Sequence, residues 1–167
     1  TLGFVEAMRG GEREIQLGIP GEAAPRQLKV RIPPGVKDGG QIRLRGQGIE
    51  GGDAVLRIRV DEHDVFRRDG DDLLMNLPIT VGEAYFGAKV AVPTLDGEVS
   101  LSIPKEAKSG RKLRLRGKGV PKADGSAGDL IVTLMIRLPE VRDEEVEKLI
   151  RELEKKYEGD VRSEIKI

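Results

Sequence analysis

An internal repeat is the feature that most limits what this chain can fold into. Residues 32–49 read IPPGVKDGGQIRLRGQGI and residues 103–120 read IPKEAKSGRKLRLRGKGV, an offset of 71 residues without a gap. The similarity continues upstream, where EAMRG at 6–10 matches EAYFG at 83–87, and it continues downstream, where GDAVL from Gly52 matches GDLIV from Gly128. Matches in the same order over this length indicate two tandem copies of one small module.

Within each copy, apolar residues alternate with polar ones. The segment LKVRI at 28–32 has this pattern, and the longest run, at 130–138, has five apolar residues at alternate positions. A period of two is typical of strands that bury one face. Glycine clusters between the runs supply turns, and the repeated EA segments predict a short helix in each copy. The chain is therefore predicted to be mostly β, with two tandem β-sandwich-like domains over 1–67 and 68–139.

The period changes after Pro139, and residues 140–167 are assigned to a helix and a tail. Asp143 is a credible N-cap, and alternation over 161–167 indicates an added edge strand. An amphipathic helix with one narrow apolar stripe must bury that stripe, either on its own module or in a two-fold dimer contact. The candidate dimerisation residues are Val146, Leu149, Ile150, Leu153 and Tyr157.

Composition limits the classes of function. Lys+Arg and Asp+Glu both number 29, so net charge gives no general argument for nucleic acid or an anionic membrane. The absence of cysteine excludes disulfides and thiolate metal sites, which fits a cytoplasmic protein. No apolar run is long enough for a membrane span. With one histidine and no G-x-S-x-G motif, we expect neither enzymatic activity nor a metal or other cofactor.

Three short motifs have plain structural interpretations. His63 is interpreted as a surface turn residue. The sequence DGDD at 69–72 predicts a turn whose carboxylates are solvated or pair with Arg67 and Arg68. The G-x-G at 46–48 lacks the rest of a phosphate-binding fingerprint, and its recurrence in copy two indicates a structural turn.

The joint between the copies carries a family resemblance. Residues 63–73, HDVFRRDGDDL, resemble the H-x-x-F-x-R-x-G-x-D-L junction of DnaJ-type (J-domain) co-chaperones. The repeated I-P-x-G-x-x-x-G and R-x-x-G-x-G segments are similar to those of the two C-terminal substrate-binding domains of that family. TVGEAYFG at 80–87 resembles the start of the second of these domains. The resemblance covers residues 1–158.

The resemblance implies a fold and a function. It implies two β-sandwich-like domains and a C-terminal helix that makes a homodimer. Without cysteine, the chain resembles the zinc-free subclass, which includes the curved-DNA-binding proteins. The implied function is to hold unfolded client polypeptides and deliver them to a seventy-kilodalton heat-shock (DnaK-like) chaperone in protein folding and the stress response. DNA binding is the alternative. The H-P-D signature of the J domain does not occur in the chain.

The resemblance also implies a peptide-binding groove on copy one. Arg13, Ile15 and Leu17 match the family's basic and two apolar positions on one strand, and Leu56 matches a position on the last strand of the domain. Ile58 is inferred from alternation alone. Arg13 and Arg26 would form a basic rim for the acidic C-terminal tail of the heat-shock chaperone. The alternative, that the apolar members are ordinary core residues, stays open at this point.

Overall fold

The computed structural model describes residues 1–165 of the chain. A 3₁₀ turn covers Ile49–Gly51. The remaining elements are, in chain order, α1 (Phe4–Arg9), β1 (Gly11–Leu17), β2 (Arg26–Ile32), β3 (Gln41–Leu44), β4 (Ala54–Arg57), β5 (Arg67–Asp69), β6 (Asp72–Thr80), α2 (Val81–Phe86), β7 (Ala88–Thr94), β8 (Gly97–Ile103), β9 (Lys112–Leu115), β10 (Leu130–Arg137) and α3 (Glu144–Glu154).

The strands form several small sheets, as the repeat predicts. Copy one contains the antiparallel pairs β1–β2 and β3–β4, and copy two contains the equivalent pairs β7–β8 and β9–β10. In copy two, β5 and β6 extend the second pair to four strands in the order β5-β6-β10-β9. The prediction of a mostly β fold with a C-terminal helix is confirmed.

Short helices begin at the predicted repeated segments. Thr80 caps α2 by accepting from the Glu83 backbone N–H at 3.1 Å, and the Glu83 carboxylate accepts from the Thr80 N–H at 2.9 Å. This reciprocal capping satisfies two backbone donors that the first turn leaves free. Asp143 caps α3 as predicted, because its Oδ1 accepts from the Val146 N–H at 2.9 Å.

Most of the apolar core is shared by the two copies. Ala7 and Met8 of copy one belong to the same buried cluster as Leu73, Leu130 and Leu134 of copy two, and each of these side chains is at most 1% exposed. A second, smaller cluster lies within copy one. Chain contacts define one compact unit over Thr1–Ile136 and another over Arg137–Ile167. The boundaries 1–67, 68–139 and 140–167 remain a prediction.

The copies are joined by close backbone contact and by arginine hydrogen bonds. The Arg9 Nη2 donates to the Leu95 carbonyl at 2.8 Å, and the Arg68 Nη1 donates to the Gly35 carbonyl at 2.7 Å. The Arg68 guanidinium therefore donates to backbone carbonyl groups. Burial lowers the pKa of Arg68 from its ordinary value. The predicted DGDD turn forms between β5 and β6. Of the two alternatives for its carboxylates, pairing with Arg68 is not seen among the described residues, and Asp71 is half-exposed and pairs with Lys122 at 3.2 Å.

The tail does not follow the predicted edge strand. Residues 161–164 form turns, with the Ser163 N–H donating to the Asp160 carbonyl at 3.1 Å. The strand prediction is therefore wrong for the described part of the tail, because local i,i+3 hydrogen bonds take the backbone groups that a strand would offer to a neighbour. Its last two residues lie outside the described residues.

Candidate functional site

Strand β1 places the predicted groove residues of copy one along one face. Arg13, Ile15 and Leu17 occupy alternate positions, which point to the same side of a strand. In the β1–β2 register, Ile15 lies opposite Leu28 and Leu17 lies opposite Arg26. Arg13 is exposed, whereas Ile15 and Leu17 are half-buried. The two apolar side chains thus keep part of their surface open.

The structure brings some of the predicted residues together and separates others. Ile15 of β1 and Leu56 of β4 both pack against the cluster of Val30, Ile32 and Ile58. Ile58 is 4% exposed, so its side chain is a core residue beneath the surface. The half-buried Ile15 and Leu56 are supported by this core from below.

Leu17, the last residue of β1, does not belong to that cluster. It lines a cavity of about 370 Å³. The other lining residues include Ile19, Pro20, Ile49 and Ala54. The apolar surface of copy one therefore extends from the end of β1 to the segments around Ile19 and Ile49.

One edge of β1 has no strand neighbour among residues 1–165, because β1 pairs with β2 alone. In an antiparallel pair, alternate residues direct their N–H and C=O groups away from the partner strand. Such an edge is a template for an added strand. The free hydrogen-bonding groups of β1 thus lie beside the half-buried apolar side chains of the same strand.

Both predicted rim arginines already have acidic partners. Arg13 Nη2 lies 2.5 Å from Glu6 Oε1. Arg26 pairs with Glu22 and also donates to Gln47 Oε1 at 3.3 Å. Exposed ion pairs of this kind contribute only about 0.2–1 kcal/mol, so an incoming carboxylate can replace the internal partner at small cost.

The joint between the copies holds the predicted turn histidine, whose ring also packs against two aromatic side chains. The His63 ring lies 5.5 Å from the Phe4 ring and 5.2 Å from the Phe66 ring, centroid to centroid. Its Nδ1 accepts from the backbone N–H groups of Val65 and Phe66 at 3.1 and 3.2 Å. These local bonds make His63 a turn residue, as predicted, and its half-buried ring also packs against the two aromatic side chains.

That joint also lines a cavity of about 370 Å³ that the sequence reasoning missed. Phe4, Met8, Val36, Val60 and Phe66 supply its apolar lining. The H-x-x-F motif of the joint signalled an apolar contact there, but the partner side chains come from distant parts of the chain.

The repeated G-x-G segments are structural turns, as predicted. The Gly46 N–H donates to the Asp53 carboxylate at 3.0 Å, and the Gly117 N–H donates to the Asp129 carboxylate at 2.9 Å. The bond from Gly117, together with Arg114 at 2.6 Å, holds the pKa of Asp129 below its usual range. The carboxylate in each copy therefore fills the position that a bound anion would need.

The stripe on α3 is open in this structure. Leu149, Ile150 and Leu153 are between 45% and 58% exposed, and Val146 is half-buried. Tyr157, the last residue predicted for the stripe, lies three residues beyond the end of α3 and is 58% exposed. Exposed apolar surface of this kind on one face of a helix marks an interaction surface.

Metal and membrane features are absent from the part of the chain that the structure describes. Within residues 1–165, no group of three or more His, Asp or Glu side chains is placed to hold a metal ion. No helix in the same range is long and apolar enough to cross a membrane.

Comparison with known proteins gives the family. Residues 1–139 match the family described as the DnaJ C terminal domain. The "Curved DNA-binding protein" of Coxiella burnetii (strain Dugway 5J108-111) is 38% identical over 99% of this chain and 56% of its own length. "Chaperone protein DnaJ 2" of Nocardia farcinica is 47% identical over 72% of this chain and 33% of its own length. The chain thus spans about half or less of these relatives, and it belongs to the DnaJ C-terminal domain family.

Proposed function

We propose that copy one is the client-binding surface of a DnaJ-like co-chaperone, which holds unfolded polypeptide and delivers it to a seventy-kilodalton heat-shock chaperone. The single observation that carries this proposal is the unpaired edge of β1 beside the half-buried Ile15, Leu17 and Leu56. Unfolded chains expose both backbone groups and apolar side chains, and this surface offers a partner to each. Family membership and the DnaJ chaperone relatives support the same role.

Delivery requires contact with the seventy-kilodalton chaperone. The basic rim of Arg13 and Arg26 supplies positive charge for that contact. Arg13 and Arg26 flank the apolar positions, and their internal ion pairs are weak enough to exchange. A carboxylate-rich tail would replace Glu6 and Glu22 as their partner. We propose that this exchange takes place in the cytoplasm. A chain without cysteine has no disulfide to form and does not need an oxidising compartment.

Ile15→Asp tests the client surface. A charge beside the β1 edge disfavours binding of a client's apolar side chains. In an aggregation assay run without ATP, we therefore expect the variant to lose most of its ability to keep a denatured protein from aggregating. Val55→Asp is the matched control, because Val55 is 60% exposed on β4 and Leu56 beside it faces the core instead. Equal loss in both variants, or no loss in either, would contradict the mapped surface.

Delivery is tested separately by titrating an acidic tail peptide of a seventy-kilodalton chaperone. We expect micromolar binding that weakens with salt, with shifts in the amide signals of residues 13–17 and 56–58. Unmoved signals in both segments would rule out this groove as the tail site.

DNA binding is the second candidate, and one feature of copy one favours it. Arg57 and Arg59 are exposed at positions where copy two has Thr133 and Met135. The Coxiella burnetii relative, which aligns with nearly the whole chain, is named a curved DNA-binding protein. Duplex affinity that falls steeply with salt, and falls again in Arg57→Gln/Arg59→Gln, would support this function. No gel shift at low salt would remove it.

We also propose that α3 joins two copies of the chain. Its stripe is exposed along the helix, and burying such a stripe is the usual source of helix stability. Leu149→Glu/Leu153→Glu should convert a dimer to a monomer in sedimentation. A wild-type chain that is monomeric at tens of micromolar would refute the dimer.

A further inference from the structure

The cavity at the joint between the copies, which we call the joint cavity, lies within the compact unit Thr1–Ile136 and has mostly apolar walls. The walls come from α1, from the segment after β2 and from the joint itself, and are Phe4, Met8, Val36, Val60 and Phe66. The volume of about 370 Å³ lies at the low end of the range of about 300–1,000 Å³ typical of small binding sites. An apolar space of this size fits one bulky apolar group.

The walls of the joint cavity are held in place by hydrogen bonds between side chains and backbone. Asp38 Oδ1 accepts from the Val60 N–H at 2.9 Å. Arg68 Nη1 donates to the Val36 carbonyl at 3.2 Å, in addition to its bond to the Gly35 carbonyl. A cavity whose walls are already fixed loses little conformational freedom when a ligand enters, which favours binding.

Carboxylates dominate the charged part of the lining, which contains Asp38, Asp61 and Glu62 together with two arginines. Among residues 1–165, no basic side chain forms an ion pair with any of these three carboxylates. Of the two arginines, Arg68 is directed to backbone carbonyls, which leaves Arg67 as the exposed one. The charge at the mouth of the cavity therefore favours a positively charged group beside the apolar one.

We propose that the joint cavity binds client segments in which a bulky apolar side chain is flanked by lysine or arginine. The apolar side chain enters the cavity, and the basic side chain pairs with Asp61 and Glu62. Because both carboxylates are exposed, a ligand that reaches them must extend out of the cavity, as a polypeptide does when it inserts one side chain.

The inference rests on the client binding proposed above and adds a second contact with its own sequence preference. The rim of the β1 surface carries Arg13 and Arg26, which favour acidic neighbours, whereas the mouth of the joint cavity carries Asp61 and Glu62. The two sites would therefore select client segments of opposite charge.

Titration of the chain with a synthetic peptide tests the site. The peptide has one phenylalanine with a lysine on each side, in a background of glycine and serine. We expect saturable shifts of the methyl NMR signals of Met8, Val36 and Val60, which line the cavity. Replacing the lysines by glutamate, or the phenylalanine by serine, should each weaken binding at least about fivefold, because one removes the charge match and the other the apolar group.

Glu62→Lys tests the charge at the mouth and leaves the apolar walls intact, because Glu62 is exposed. It should weaken binding of the lysine peptide about fivefold and strengthen binding of the glutamate peptide, since an attraction becomes a repulsion. Asp64→Lys is the matched control, because it makes the same charge change at an exposed residue two positions away that does not line the cavity. It should leave both affinities within about twofold.

Three results would overturn the inference: methyl signals that do not move, equal affinity for the lysine and glutamate peptides, or equal effects of Glu62→Lys and Asp64→Lys. The Ile15→Asp variant separates this failure from failure of the β1 surface. If Ile15→Asp abolishes suppression of aggregation but the lysine peptide leaves Met8 unmoved, the joint cavity alone is refuted. If Ile15→Asp has no effect on aggregation but the lysine peptide still shifts Met8, the β1 surface is refuted and the joint cavity stands.

Discussion

Replacing Gly35 by alanine should weaken the contact between the two copies. Gly35 has a φ of 72°, and an added Cβ would lie 2.5 Å from the Pro121 carbonyl oxygen and 2.8 Å from Val120 Cγ1. The first neighbour is backbone and has no rotamer to change, so one of the two modules must shift. Gly39 is the matched control, because its φ is 75° and nothing lies within 4 Å of its added Cβ.

Comparing the two glycines separates the backbone cost of the substitution from the cost of the close contact. A left-handed backbone conformation costs a non-glycine residue about 1–2 kcal/mol, and this term applies to both positions. Overpacking a close contact adds about 1–3 kcal/mol, and this term applies to Gly35 alone. We therefore expect Gly39→Ala to lower the free energy of unfolding by about 1–2 kcal/mol and Gly35→Ala to lower it by about 2–5 kcal/mol.

Urea unfolding of the two variants and the wild-type chain measures the difference. The difference between the two losses isolates the module contact, because the backbone terms cancel. Equal losses within about 0.5 kcal/mol would refute the reasoning, since the copies would then not be pressed together at Gly35. The exposed Glu106 at the equivalent position of copy two already shows that the backbone conformation alone is tolerated.

Three further predictions follow from single contacts. Folding lowers the pKa of the Asp129 carboxyl, so the ionised carboxylate stabilises the folded chain fully above the unfolded pKa, near 3.9, and this stabilisation is lost as pH falls through the folded pKa. The loss of unfolding free energy caused by Asp129→Asn, measured by urea unfolding, should therefore become smaller as the pH is lowered toward ~2. His63→Phe keeps an aromatic ring at this position but removes the nitrogen that accepts from the Val65 and Phe66 N–H groups. It should lower the free energy of unfolding, measured by calorimetry, by about 1–3 kcal/mol. Asp143→Ala removes the α3 cap and should reduce the helix's amide protection by about 1 kcal/mol in hydrogen exchange.

Local patterns in the sequence were sufficient to predict several of the strands and helices. Period-two alternation predicts β2 and β10, the repeated EA segments predict the short helices, and Asp143 predicts where α3 begins, because these features depend on neighbours within a few residues. The end of α3 was less predictable. The helix stops at Glu154, three residues before Tyr157, the last residue predicted for its stripe, because Lys155 and Lys156 form a turn.

The groove was predictable only in part. The family resemblance identified β1 and its alternate residues, but burial separates Ile15 and Leu56, which are half-exposed, from Ile58, which is core. Alternation places Leu56 and Ile58 on the same face, and only the packing of Val30 and Ile32 of β2 against Ile58 decides which one is covered. Likewise, the acidic partners of Arg13 and Arg26 follow from how side chains meet in space.

The sequence by itself determined that the chain is a tandem of two equivalent β modules with a terminal helix, because a repeat and its periodicity are properties of order along the chain. Only the tertiary structure decided that the copies are unequal. Met8 is buried and Tyr85 is exposed at equivalent positions, since copy two covers the first and no β module of the tandem covers the second. Equivalent residues acquire different roles because burial depends on what packs against them, which no local pattern records.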